Sequence, residues 1–275
     1  MRFGYVVPNN IGIEDPQDLI QLGMHAEAVG FDSIWVNHHI LHVGYVKERL
    51  GTAPYQDALT ILTWLAANTS TVGLGTSVLV MPYLHPMALA KQLATLDQLS
   101  GGRLIVGLGA GSLPEENAAL GVPYESRGRY CNEFLQVLRL LWTEDEASFD
   151  GEFFSFANIC SSPKPAQDPH PLIVVGGNRP AAVKRVAHFG DGWHPMNVAP
   201  DGVRKRLAAM REHTDTLGRE HVPQAVQVRL DMNRLDADTI KAYADEGVTD
   251  LVVHVSSSKV DKQRSAMDAF AQYLS

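Results

Sequence analysis

Eight short apolar runs, each followed by a stretch of helical periodicity, recur from one end of this 275-residue chain to the other. That alternation constrains the fold more than any other feature, because parallel strands can be joined only by long crossovers, usually helices. Arg2 to Val7 is the first run, and Pro16 to Val29 the first helix, with Leu19, Leu22, Ala26 and Val29 on one face. Pro16 stands where a helix start loses nothing by lacking an N–H. Gly30 ends that helix, and Ser33 to Val36 is the second strand. Asp57 caps a helix over Ala58 to Asn68. Strand three covers Val72 to Val80, before a helix from Pro86 to Leu99; strand four covers Arg103 to Leu108, before one from Arg127 to Trp142. Four more pairs follow: Leu172 to Val175 with Pro180 to His188, Asp191 to His194 with Pro200 to Thr216, Ala225 to Leu230 with Ala237 to Asp245, and Val248 to Val255 with Asp261 to Leu274.

Runs such as LIVV and LVVHV are apolar throughout, without alternation, as strands buried on both faces are. A doubly wound open sheet shares that trait, but eight regular units with no topological break favour closure. The expected fold is therefore α/β, a (β/α)8 TIM barrel forming one domain over residues 1–275. Between the fourth helix and fifth strand, Ala147 to Ile159 places Asp150-Gly151 between apolar arms, which reads as an inserted hairpin.

The formal charge of −8 disfavours nucleic acid and anionic membranes as partners. No leader-like or membrane-length apolar run is present, so a cytoplasmic protein is expected. Cys131 and Cys160, the only cysteines, read as reduced core thiols.

In such a barrel, function sits on the loops leaving the C-terminal strand ends. Strand two ends in Asn37-His38-His39, strand four in Gly109-Ala110-Gly111-Ser112, strand five in Gly176-Gly177-Asn178-Arg179 and strand six in Trp193-His194. A metal hydrolase is disfavoured: strand one has no histidine, and adjacent side chains such as His38 and His39 diverge on an extended backbone. The GxGxG at Gly107 to Gly111 is a poor dinucleotide fingerprint, open either to ligand approach or to close packing of strands. Gly176-Gly177 ends a buried strand just before a helix, an arrangement that points N–H groups at a phosphate, with Arg179 adding charge.

GFDSIWVNHHI (Gly30 to Ile40), the run from Leu74 to Gly111, RGRYCNEFLQVLRLLW and the run from Ser162 to Pro195 together resemble the luciferase-like monooxygenases, in particular the branch using the deazaflavin coenzyme F420. The resemblance implies a homodimer with a deazaflavin or flavin across the strand ends and a non-proline cis peptide at Ser77-Val78 under its middle ring. It assigns cofactor contacts to His38, Ser77, Val78, Gly109, Ala110, Gly111, Gly176, Gly177, Asn178 and Arg179. It also makes His39 the general acid/base beside the reactive ring, while Trp193 and His194 are expected to wall the substrate. His38 stands where relatives carry an aspartate, and Ser112, followed by Glu115 and Glu116, stands where deazaflavin dehydrogenases carry a glutamate; both departures count against sugar-phosphate dehydrogenase activity. An imidazole beside His39 is expected to lower the pKa of both. Hydride transfer between F420 and a small-molecule substrate is the leading expectation. An FMN-dependent monooxygenase fed by a separate reductase and a non-catalytic flavin-binding barrel are the alternatives. The loops Asn37 to Gln56 and Ser112 to Ser126 are expected to shape the pocket.

Overall fold

The computed structural model describes residues 1–274. Its strands are β1 (Arg2–Val6), β2 (Ser33–Val36), β3 (Gly73–Thr76), β4 (Leu79–Val80), β5 (Leu104–Gly109), β6 (Ala147–Asp150), β7 (Ser155–Ile159), β8 (Leu172–Gly176), β9 (Gly192–His194), β10 (Ala225–Asp231) and β11 (Asp250–His254). The helices are α1 (Pro16–Val29), α2 (Gly44–Leu50), α3 (Ala58–Asn68), α4 (Pro86–Ser100), α5 (Pro114–Ala119), α6 (Arg127–Thr143), α7 (Pro180–Phe189), α8 (Pro200–Thr216), α9 (Ala237–Asp245) and α10 (Val260–Phe270). Parallel pairing runs β3-β2-β1-β11-β10-β9-β8-β5, and β3 pairs with β5 through Leu74 with Leu104 and Gly75 with Ile105, closing a TIM barrel.

Local signals behave as the residue types demand. Asp57 caps α3 by accepting the Thr60 N–H at 2.8 Å, and Gly30 ends α1 with φ 109°. β6 and β7 form an antiparallel hairpin apart from the barrel. Along each barrel strand, alternate side chains divide between two layers. Val6, Trp35, Val174 and Val252 plug the interior, while Tyr5, Val7, Ile34, Val175 and Leu251 join the larger core between strands and helices.

Three expectations need correction. Strand three is not continuous over Val72 to Val80: the ladder breaks at Ser77-Val78, a non-proline cis peptide, and resumes as β4. The segments read as loops, Asn37 to Gln56 and Ser112 to Ser126, contain α2 and α5, each under two turns long and too short for a periodic pattern to stand out. Cys131 is buried as expected, but Cys160 is exposed just beyond β7, where the two-stranded insertion gives it no core to enter.

Candidate active site

The two histidines after β2 turn in different directions, as extended backbone requires. His38 is buried, and its Nδ1 accepts the Val80 N–H at 3.0 Å, tying the end of β2 to β4. Its imidazole is held down at about 4, chiefly by burial, with His39 acting in the same direction and Asp57 and Glu116 partly opposing. It is thus neutral and engaged with backbone.

His39 reaches the mouth of the barrel. Its Nδ1 lies 2.6 Å from Glu116 Oε2, and the Tyr45 hydroxyl lies 2.7 Å from its Nε2. Glu116, in α5, is fully buried; its other oxygen accepts the N–H groups of Ile40 at 2.7 Å and Leu41 at 3.0 Å. Burial alone would raise this carboxyl, but the hydrogen bonds from His39, Leu41 and Ile40 outweigh it and hold it below the usual carboxylate range. An ionised Glu116 fixes the proton of His39 on Nδ1, so that Nε2 receives the Tyr45 O–H. Tyr55 and Tyr83 complete an aromatic surround, with ring centroids 5.8 and 6.5 Å from that of His39.

A second network supports Ser77. Its hydroxyl lies 2.8 Å from His194 Nε2, and Arg229 Nη1 donates to Ser77 O at 3.0 Å, Ser77 Oγ at 2.9 Å and Asn37 Oδ1 at 2.5 Å. Asn37 is in turn paired with Asn9. His194 stacks on Trp35 at 4.9 Å in the barrel interior and is pressed down to about 3 by burial, with Arg229 adding to the effect. Trp193, one residue earlier, points the other way into the outer core and donates to Gly177 O. Both residues expected to wall the substrate are therefore buried: alternation sends Trp193 outward, and His194 props Ser77.

The glycines of β5 and β8 make a seat for the neighbouring third strand. A Cβ on Gly109 would lie 2.6 Å from Val78 Cγ2, one on Gly176 2.9 Å from Val78 Cγ1, and one on Gly107 1.7 Å from the Thr76 carbonyl oxygen. Close packing of strands thus explains the GxGxG. Ala110 packs against the core, and Gly111 follows with φ 72°. Gly177 has φ 119°, a conformation open to glycine alone at little cost. Asn178 is clipped to Met196 through both amide atoms, and exposed Arg179 is the N-cap of α7 without capping it through its side chain.

Two buried neutral histidines have a consequence for pH. Unfolded, His38 and His194 take up protons near the ordinary value of about 6.5; folded, they do so only near 4 and 3. Stability is accordingly full above about pH 6.5 and falls as pH drops toward 4, by about 1.4 kcal/mol per pH unit for each histidine. Urea denaturation across this range should show the midpoint falling steadily; a midpoint that stays level would refute the assignment of both rings as neutral.

Glu116 entered the sequence reading only as one of two carboxylates following Ser112, with no role of its own. Tyr45, Tyr55 and Arg229 were not singled out: Tyr45 on the short α2 and Tyr55 in the loop after it belong to no motif.

The chain matches the family model "Luciferase-like monooxygenase" over residues 1–255. It is 32% identical to an uncharacterized protein of Mycobacterium tuberculosis, over 90% of this chain and 91% of that one. It is also 32% identical to the F420-dependent glucose-6-phosphate dehydrogenase of Kineococcus radiotolerans, over 82% of this chain and 67% of the relative. Among solved structures it resembles the monooxygenase RslO1 of Streptomyces bottropensis, with TM-score 0.82 and 22% identity over 100% of this chain and 98% of that one. It likewise resembles an F420-dependent secondary alcohol dehydrogenase in complex with an F420-acetone adduct, with TM-score 0.81 and 19% identity over 98% of this chain and 97% of that one. These two likenesses concern the fold.

Proposed function

Because this chain belongs to the luciferase-like monooxygenase family, we propose that it is an oxidoreductase moving hydride between the deazaflavin coenzyme F420 and a small organic substrate. The observation that carries this reading is the Glu116–His39–Tyr45 chain at the barrel mouth, on the loop of the strand that neighbours Ser77-Val78. The similarity to an F420-dependent dehydrogenase supports the choice of coenzyme.

The residues present fit such a group. Ser77 and Val78 are held rigidly by Arg229, His194 and the glycine seat, offering a fixed support for a flat ring beside Gly109, Ala110 and Gly111. Gly176, Gly177, Asn178 and Arg179 precede a ten-residue helix whose first N–H groups have no side-chain cap, a suitable place for the phosphate of a cofactor tail. When bound, the coenzyme supplies a hydride donor or acceptor at its central ring.

Proton handling falls to the protein. His39 Nε2 accepts a proton from a substrate hydroxyl, or returns one, by exchanging its bond to the Tyr45 hydroxyl for one to the substrate. Glu116 stabilises the imidazolium so formed and keeps the ring oriented. Tyr45, on α2 and partly exposed, closes the relay toward solvent.

Glu116→Gln tests that division of labour. The amide oxygen can still accept from Ile40 and Leu41, but the amide nitrogen would donate to His39 Nδ1, moving the ring proton to Nε2. Turnover should fall by about 10²-fold or more, while the fold persists; turnover within twofold of wild type would contradict the relay. The reaction class is tested by anaerobic incubation with F420 and panels of small alcohols and carbonyl compounds, following the coenzyme's visible absorbance. Substrate-dependent change without oxygen supports hydride transfer. A strict requirement for oxygen, with FMN and a reductase, would overturn it.

A further inference from the structure

A cleft of about 410 Å³ opens at the mouth over β1, β10 and β11, and its lining includes Asn10, Arg49, Asn197, Arg229, His254 and Ser256. The chain as a whole carries 31 acidic residues, yet none lines this cleft. Two of its walls are arginines without an ionic partner. Among the described residues no carboxylate lies within 4.0 Å of either guanidinium. Arg49 donates to the Asn10 carbonyl at 2.9 Å. Arg229 gives Nη1 to Asn37 and Ser77, all neutral acceptors, while its buried Nε has no partner.

That arrangement is expensive as it stands. A guanidinium withdrawn from water and surrounded by neutral acceptors lacks the compensation that buried charges ordinarily receive. Burial already draws Arg229 down to about 10, with Arg49 acting the same way and Tyr55 opposing. His254, another wall, has a buried Nδ1 without a hydrogen-bond partner among the described residues, and burial, then Arg229, lower its pKa against Asp231 and the Leu230 backbone. The nearest carboxylate, Asp231, stands 4.0 Å from His254 Nε2 and is engaged by Asn233 and Ser256. The missing element is a negative charge within the cleft, next to the Ser77 support.

We infer that this cleft receives an anionic substrate, held by carboxylate or phosphate oxygens between Arg49 and Arg229 with the cleft serines and asparagines as further donors. A guanidinium fork suits either oxyanion. The inference rests on the proposed function for the neighbouring cofactor but concerns the other half of the mouth: Arg229 touches both, through Ser77 on one side and the cleft on the other.

Thermal unfolding of the purified full-length protein, titrated separately with sodium acetate and inorganic phosphate at ionic strength held constant with chloride, tests it. A saturable rise in Tm with either anion is expected, and whichever is effective identifies the oxyanion. Arg49→Met, at the cleft edge, should weaken the response about tenfold, and Arg229→Lys should weaken it while keeping the fold. No saturable response to either anion, or an unchanged response in both variants, would overturn the inference. So would phosphate that competes with F420 in fluorescence quenching, since the cleft would then be the cofactor tail's. Quenching by F420 is read independently. If it occurs without an anion response, the cleft assignment fails and the proposed function stands; anion binding without quenching supports the cleft and defeats the cofactor.

Discussion

Replacing His39 with alanine is expected to lower turnover with F420 by about 10²- to 10⁴-fold, the range ordinarily supplied by a positioned acid/base. The ring is fixed by a buried carboxylate and turned toward the mouth: Glu116 holds Nδ1 at 2.6 Å and Tyr45 meets Nε2 at 2.7 Å. Cofactor affinity should change little, because Ser77 and Val78 are held by Arg229, His194 and the strand glycines without help from His39. The fold should also survive. Glu116 keeps its two backbone donors, Ile40 and Leu41, so that the carboxylate is left short of one partner, a loss of about 1–3 kcal/mol. Steady-state kinetics beside F420 quenching separates the two effects. Turnover close to wild type would remove His39 from the chemistry.

The largest effect on the fold itself is expected at Gly107. A methyl there would lie 1.7 Å from the Thr76 carbonyl oxygen and 2.9 Å from its carbon, both backbone atoms that no rotamer change can move. The contact is locked on each side, since Thr76 Oγ1 donates to Gly107 O at 2.8 Å and accepts Gly107 N–H at 2.9 Å. Gly107→Ala must therefore part β3 from β5, the seam that closes the barrel, and displace Ser77 next to it. A destabilisation above about 4 kcal/mol, or failure to accumulate as folded protein, is expected. Gly121→Ala is the control: its φ of 72° disfavours alanine, but nothing stands within 4 Å of the new carbon, and a loss of about 1 kcal/mol is expected. Urea denaturation compares them. If Gly107→Ala unfolds as late as the control, the close approach of the two strands is wrong.

Much of the barrel was legible because its determinants are local. Uninterrupted apolar runs such as LIVV, the caps Asp57 and Gly30, and the Asp150-Gly151 turn each act over a few residues. The site was legible only in part, since what assembles it is distant in sequence. His39 stood out as a histidine at a strand end, but its partner Glu116 is 77 residues away on a helix too short for any periodic signal. Nothing in the sequence around Arg229 indicates that it reaches Ser77, 152 positions earlier. The glycines from Gly107 to Gly111 carried a signal with two meanings, ligand approach or strand packing, and the close approach of Thr76 and Val78 gives Gly107 and Gly109 a packing role. Trp193 and His194 turn to opposite sides, into the outer core and the barrel interior, which a three-residue strand, GWH, has too little alternation to reveal.

Binding of F420 at this barrel mouth is measured by direct titration of the purified protein with that coenzyme, beside a parallel titration with FMN. Saturable quenching of the deazaflavin fluorescence at one coenzyme per chain is expected, with much weaker binding of FMN. Tight FMN binding without deazaflavin binding, or no binding of either, would contradict it.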